Sequence, residues 1–166
     1  MGQDKALLPV EGVPMVLRVV AALVAGRCRP QCAVGGDRRR LEALDLEVLA
    51  DEYPGEGPLG GVITVLSRYS AAAVVVVVAC DLPYLSAVSV RRLVAALDGH
   101  DVAVARAGSA QPVCAAWRPS CAASLRLQFA AGERRLSAVL QTLNVIEVDV
   151  NAQDLANLNT PGDLPQ

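Results

Sequence analysis

Residues 71–85 read Ala71-Ala72-Ala73-Val74-Val75-Val76-Val77-Val78-Ala79-Cys80-Asp81-Leu82-Pro83-Tyr84-Leu85, and the fold is read outward from them. Five consecutive valines are stiff at χ1, fit a pleated sheet and leave neither face for water, which predicts a central parallel strand covered on both sides. Asp81 arrives where the apolar run stops. Pro83 cannot donate to a continuing ladder, so the carboxylate falls at the carboxyl edge of the strand. Open α/β sheets bind ligands at that edge. An anion there is costly to desolvate alone, which makes a metal ion its natural partner; the same aspartate could equally turn the chain or cap the segment from Tyr84 onward.

On the carboxyl side, Ser86 can cap a helix over 87–97, with Gly99 ending it. On the amino side, Tyr53-Pro54-Gly55-Glu56-Gly57-Pro58-Leu59-Gly60-Gly61 runs straight into a helix over 62–69 that Pro58 can open. The glycines leave the first amides of that helix open to an anion or a planar base, although the same spacing serves a plain loop-to-helix junction. Further upstream, 46–50 reads as a strand followed by Asp51, and 31–34 as a strand ending in Gly35-Gly36-Asp37. An apolar helix over 15–25 starts after Pro14 and is closed by Gly26, and residues 6–9 form a short extended piece. Downstream lie strands over 101–106, 112–117 and 145–150, with helices over 119–131 and 136–143. The sum is one mixed sheet flanked by helices, a single domain over 1–166.

Composition narrows the function. Apolar residues make up 53% of the 166 and charged residues 19%, which excludes disorder; with one Phe and one Trp, the core is built from Val, Leu and Ala. A net charge of −2 offers no footprint for nucleic acid, and Arg38–Arg40 reads as a solvated turn. The apolar run 71–80 is half of what a membrane helix needs, and the N-terminus is polar where a signal peptide would be basic and then apolar, so the expected location is cytoplasmic, without membrane partners. Five cysteines, an odd number inside apolar segments, read as free thiols of a reducing compartment. Cys28 and Cys32 would need further ligands for zinc, and His100 is the sole histidine.

Four places collect on what should be one sheet edge: Asp4-Lys5, Asp51 with the Gly/Pro loop, Asp81, and residues 157–160. A lysine near the start and an aspartate at a strand end are the minimum for binding a nucleoside triphosphate with Mg²⁺, because both counter the phosphate charge.

The wording of these motifs is more specific than their spacing. Met1-Gly2-Gln3-Asp4-Lys5-Ala6-Leu7-Leu8-Pro9 resembles the second half of the signature Leu-Ala-Gly-Gly-x-Ser-x-Arg-Met-Gly-x-Asp-Lys of the molybdenum cofactor guanylyltransferases and their nucleotidyltransferase superfamily. Asp51 with the loop 54–61, Cys80-Asp81-Leu82-Pro83-Tyr84-Leu85, Gln111-Pro112, Ala131-Gly132-Glu133-Arg134-Arg135 and Asn157-Leu158-Asn159-Thr160-Pro161 match that family in order. The resemblance implies a three-layer, Rossmann-like α/β fold of the nucleotide-diphospho-sugar transferase type, with a mostly parallel mixed sheet. It implies transfer of GMP from GTP to molybdenum-molybdopterin with release of pyrophosphate, and other cofactor maturation proteins as partners. Carried over, Lys5 would neutralise the GTP phosphates, and Asp51, Gly57, Pro58, Leu59 and Gly60 would hold the nucleotide. Asp81 would ligate Mg²⁺, and Gln111, Asn157 and Asn159 would face the cofactor substrate. For the two asparagines a turn or cap role stands beside that reading.

Two departures accompany the resemblance. The family's first strand and the Leu-Ala-Gly-Gly half of its loop have no counterpart, which leads to the expectation that the natural start lies upstream of Met1 and that unpaired strand edges are left behind. The family's asparagine after the second strand is replaced within Gly35-Gly36-Asp37. The competing readings are a cytidylyl- or sugar-phosphate nucleotidyltransferase of the same superfamily, and a non-catalytic remnant that binds cofactor or a partner protein.

Overall fold

The computed structural model describes residues 5–157, so Asp4 and Asn159 lie outside it. Lys5–Leu7 forms a single 3-10 turn, followed by a hairpin of β1 (Pro9–Val10) and β2 (Val13–Pro14). Of the piece expected to be extended over 6–9, Ala6 and Leu7 are thus in the turn and only Pro9 is in a strand. Glu11 and Gly12, the two hairpin residues, have φ of 52° and 78°, the twist a two-residue connection requires.

Next comes α1 (Met15–Ala25). Gly26 closes it, but not in the left-handed cap that its position predicts, because its φ is −76°. A Cβ on Gly26 would stand 2.5 Å from Cγ1 of Val90, so glycine is required by the close approach of α4 (Ala87–Ala96). A small parallel sheet follows, β3 (Cys32–Val34) with β4 (Glu47–Leu49), joined through α2 (Arg38–Glu42). The arginines expected in a solvated turn are the first residues of α2, because Asp37 caps it by accepting from the Arg40 amide at 3.2 Å. Pro58 opens α3 (Pro58–Arg68) as its sequence position predicts.

The main sheet has the order β5-β7-β6-β8, from β5 (Val75–Val78), β6 (Val102–Ala107), β7 (Ser109–Trp117) and β8 (Val145–Asp149). Both β5 and β6 are antiparallel to β7, and β8 is parallel to β6, so three of four strands run one way. The valine strand does not lie mid-sheet between parallel neighbours; it is the end strand, and its one partner among the described residues is antiparallel. Its sequence is apolar on both faces because helices cover both. Val75 and Val77 pack with residues of α3, α5 (Ala122–Ala130) and α6 (Leu136–Leu140). Val76 and Val78 pack with Leu93 and Leu97 from the other layer. Burial between layers, not a second strand partner, accounts for the valine run.

Within the described residues β3 and β5 each pair on one side only. Both line a cavity of about 860 Å³, walled by Val16, Val19 and Val20 of α1 and by Val62 and Val65 of α3. The register between β6 and β7 shifts, with Val104 opposite Ala115 but Ala105 opposite Gln111. Pro112 sits inside that bulge, where its missing N–H breaks no ladder bond.

Candidate nucleotide site

Asp81 follows β5 at the end where the chain leaves the sheet, and it lines the cavity. Its Oδ1 is buried with no hydrogen-bond partner among the described residues. An orphaned carboxylate oxygen carries a desolvation cost that a bound cation would remove. Its donor chemistry fits Mg²⁺, which is commonly held by one or two carboxylates together with substrate phosphates and water. Among the described residues no three His, Cys, Asp or Glu side chains converge as a complete metal cage.

Lys5 is exposed at the start of its turn. Two apolar clusters bring that segment against the chain around Asp81. Ala6 shares one with Cys80; Leu8, Val10 and Met15 share the other with Tyr84. Leu82 is fully buried between them in sequence, so the Asp81 turn is anchored on both sides. Gln111 lies on β7, two residues before Val113, whose carbonyl accepts from the Ala79 amide at 2.8 Å; the paired register of β5 ends at Val78 opposite Cys114, ahead of Asp81.

Asp51 sits just past β4, and its Oδ1 accepts from the Tyr53 amide at 2.9 Å and from the Thr64 hydroxyl at 3.2 Å. Its Oδ2 faces the turn after β3, where a Cβ on Gly35 would lie 4.0 Å away. Gly57 caps α3 with a φ of 87°, and both it and Pro58 are exposed. Leu59 and Gly60 face the interior instead. Leu59 is fully buried, and a Cβ on Gly60 would meet Cβ of Tyr53 at 2.7 Å. Among the named loop residues, Gly57 and Pro58 therefore present surface, while Leu59 and Gly60 fix the loop's path. Asn157 is exposed, two residues beyond Leu155, which packs with the cluster of Leu82 and Leu85.

Several supporting long-range contacts carry no local signal. The loop after Asp51 is held by Glu52 to Arg126 and by Glu56 to Arg134, each at 2.7 Å. Arg134 also lies 3.8 Å over the ring of Phe129, which contacts Tyr53 at 4.3 Å between centroids. Glu133 accepts from the amides of Arg134 and Arg135, and the Arg135 guanidinium is the main cause that holds its carboxyl at about 2. The charged turn 132–135 thus buttresses the Gly/Pro loop. Buried Asp154 accepts from the Ser86 hydroxyl at 2.6 Å, and that hydroxyl caps α4 through the Ser89 amide. Sequence separations of 68 to 78 residues hide the pairings of Asp154 and Arg134 from any local reading.

The profile of the MobA-like NTP transferase domain family matches residues 1–148. A probable molybdenum cofactor guanylyltransferase of Chloroflexus aggregans is 35% identical over 181 residues, covering 98% of this chain and 85% of its own. A molybdenum cofactor guanylyltransferase of Rhodobacter capsulatus is 35% identical over 169 residues, covering 99% and 86%. In three dimensions the chain is similar to molybdopterin-guanine dinucleotide biosynthesis protein A of Archaeoglobus fulgidus. That match has a TM-score of 0.75 and 22% identity over 96% of this chain and 86% of the other, which establishes a shared fold.

Proposed function

This chain belongs to the molybdenum cofactor guanylyltransferase family, and on that premise we propose that it transfers GMP from GTP to molybdenum-molybdopterin, releasing pyrophosphate. The observation that carries the reading is the orphaned, buried oxygen of Asp81 in the wall of a cavity that Pro58, at the start of α3, also lines. A carboxylate so placed has a use for a cation, and an exposed glycine-capped helix start has a use for an anion or a base.

In this mechanism the acceptor's phosphate oxygen attacks the α-phosphorus in line, and the bond to the pyrophosphate oxygen breaks. The ammonium of Lys5 offsets phosphate charge, and Asp51 with Gly57 and Pro58 seats the nucleotide. Gln111 and Asn157 face the acceptor, together with Asn159 outside the described residues. Asp81 would hold Mg²⁺, which when bound supplies positive charge to the phosphates. Positioning and charge neutralisation are the whole of the protein's contribution to such a transfer.

The test is turnover of GTP, CTP and a sugar phosphate with Mg²⁺, following pyrophosphate and the labelled α-phosphate. GTP with molybdenum-molybdopterin is the expected pair, and Asp81→Asn should lower kcat by roughly 100-fold or more. Equal use of CTP, or wild-type turnover in Asp81→Asn, would overturn the assignment.

A further inference from the structure

Arg18 lies on α1, outside all of the sequence motifs, yet it touches both segments that the proposed site needs. Its Nε donates to the Pro83 carbonyl at 3.1 Å, two residues past Asp81. Its Nη1 donates to the Val10 carbonyl at 3.3 Å and pairs with the Glu11 carboxylate at 2.6 Å. The guanidinium carbon also stands 5.5 Å from the ring centroid of Tyr84. A guanidinium is suited to this, because its fork of donors is rigid and can satisfy several acceptors at once. The side chain is 24% exposed, so these bonds are partly shielded from water.

We infer that Arg18 is a positioning residue for the transfer site: it clasps the 81–84 turn to the 8–14 hairpin and so sets where Asp81 stands relative to the turn that carries Lys5. Neighbouring bonds make this rigid. The Met15 amide donates to the Leu8 carbonyl at 3.0 Å, and the Leu8 amide to the Lys5 carbonyl at 3.1 Å, so the hairpin and the lysine turn move as one piece. On the other side the Leu85 amide donates to the Leu82 carbonyl at 3.2 Å, closing the Asp81 turn. Beside the clasp, apolar packing brings the two pieces together, Leu8, Val10 and Met15 with Tyr84 and Ala6 with Cys80, and such packing fixes direction less tightly than the guanidinium fork does. Glu11, held with a positive φ, keeps the hairpin tip turned toward the guanidinium.

The functional half of this inference rests on the proposed metal role of Asp81; the clasp itself does not. The experiment therefore has two readouts on the full chain, for wild type, Arg18→Gln and Arg18→Lys. Native-state hydrogen exchange reads the clasp. In Arg18→Gln the Met15 and Leu85 amides should lose at least about tenfold in protection while β6 is unchanged, and Arg18→Lys, which keeps the charge but not the fork, should fall between. Titration with Mn²⁺ alone, read by electron paramagnetic resonance, should give a Kd raised about threefold or more in Arg18→Gln, with wild-type protection still in β6. Unchanged exchange at Met15 and Leu85, or a loss spread equally into β6, overturns the clasp. A clasp that loosens with no change in Mn²⁺ affinity overturns the positioning role. Wild-type protein that binds no Mn²⁺ strikes at the metal reading of Asp81, and with it the positioning role, while exchange still decides the clasp.

Discussion

Asp81 and Cys114 show two fates of an ionisable group taken out of water. Asp81 keeps one oxygen without a partner among the described residues, beside a cavity where a cation would give it a use. Cys114 is fully buried on β7, and burial is the main cause that pushes its thiol up to about 12, with Asp154 adding to it; Cys121 is pushed up to about 11, again chiefly by burial. A folded-state value raised above the unfolded 9.0 means that the native state favours the protonated thiol. The associated stability is complete below about pH 9 and is lost as the pH rises through 11 to 12. Thermal unfolding should therefore show a falling melting temperature above pH 9 that is shallower in Cys114→Ala. At pH 8.5 an aromatic disulfide reagent should leave Cys114 and Cys121 unmodified in native protein. Rapid reaction of all five cysteines would contradict the burial. The free state of these thiols is a residue-level fact; their presence inside apolar segments is what a reader of the sequence can see.

For elements, the boundary between legible and illegible features follows locality. Helix α1 is readable to the residue, α3 opens on Pro58, and Ser86 caps α4, because each depends on side chains within a turn of one another. The reason for Gly26 is not readable, since it comes from Val90 on another helix. The same holds for Leu59 and Gly60, whose apolar character in the loop motif suits contact with a ligand as well as packing against Tyr53. The valine strand is legible as apolar on two helix-packed faces and illegible as to its neighbours, because packing between helices looks the same in mid-sheet and at a sheet end; its full burial is not met, since only Val75 is buried while Val76, Val77 and Val78 are half-buried along the cavity. This position has a measurable signature. The Ala79 amide points to β7, so by alternation those of Val75 and Val77 do too, whereas those of Val76 and Val78 point to the open side. The Val76 and Val78 amides should exchange at least about tenfold faster than those of Val75, Val77 and Ala79, and β6 and β7, each paired on both sides, should be the slowest strands. Uniform slow exchange along β5 would show that its free edge is covered in solution.

Taken as a whole molecule, the chain distributes the proposed site over two sheets that share no strand pairing among the described residues. Asp51 and the Gly/Pro loop follow β4, whereas Asp81 follows β5 and Gln111 lies on β7, both strands of the four-stranded sheet. Collinear motifs make that gathering legible, since each falls just after a strand or at the start of a helix. The long-range ties that hold the pieces, Glu56 to Arg134 and Asp154 to Ser86, emerge only in the folded chain. Between the two sheets lies the 860 Å³ space lined largely by Val, Ala and Leu side chains. Compression is the variable that interrogates it. The space opens to solvent beside the exposed Arg27, Arg29 and Arg91, so water fills it in the native state, and hydrostatic pressure should denature this protein with a volume decrease toward the lower end of the roughly 20–100 mL/mol found for folded proteins. Trp117, the sole tryptophan and wholly enclosed, is a built-in fluorescent gauge of that transition. A volume change near the upper end would mean that the cleft is closed to water at atmospheric pressure.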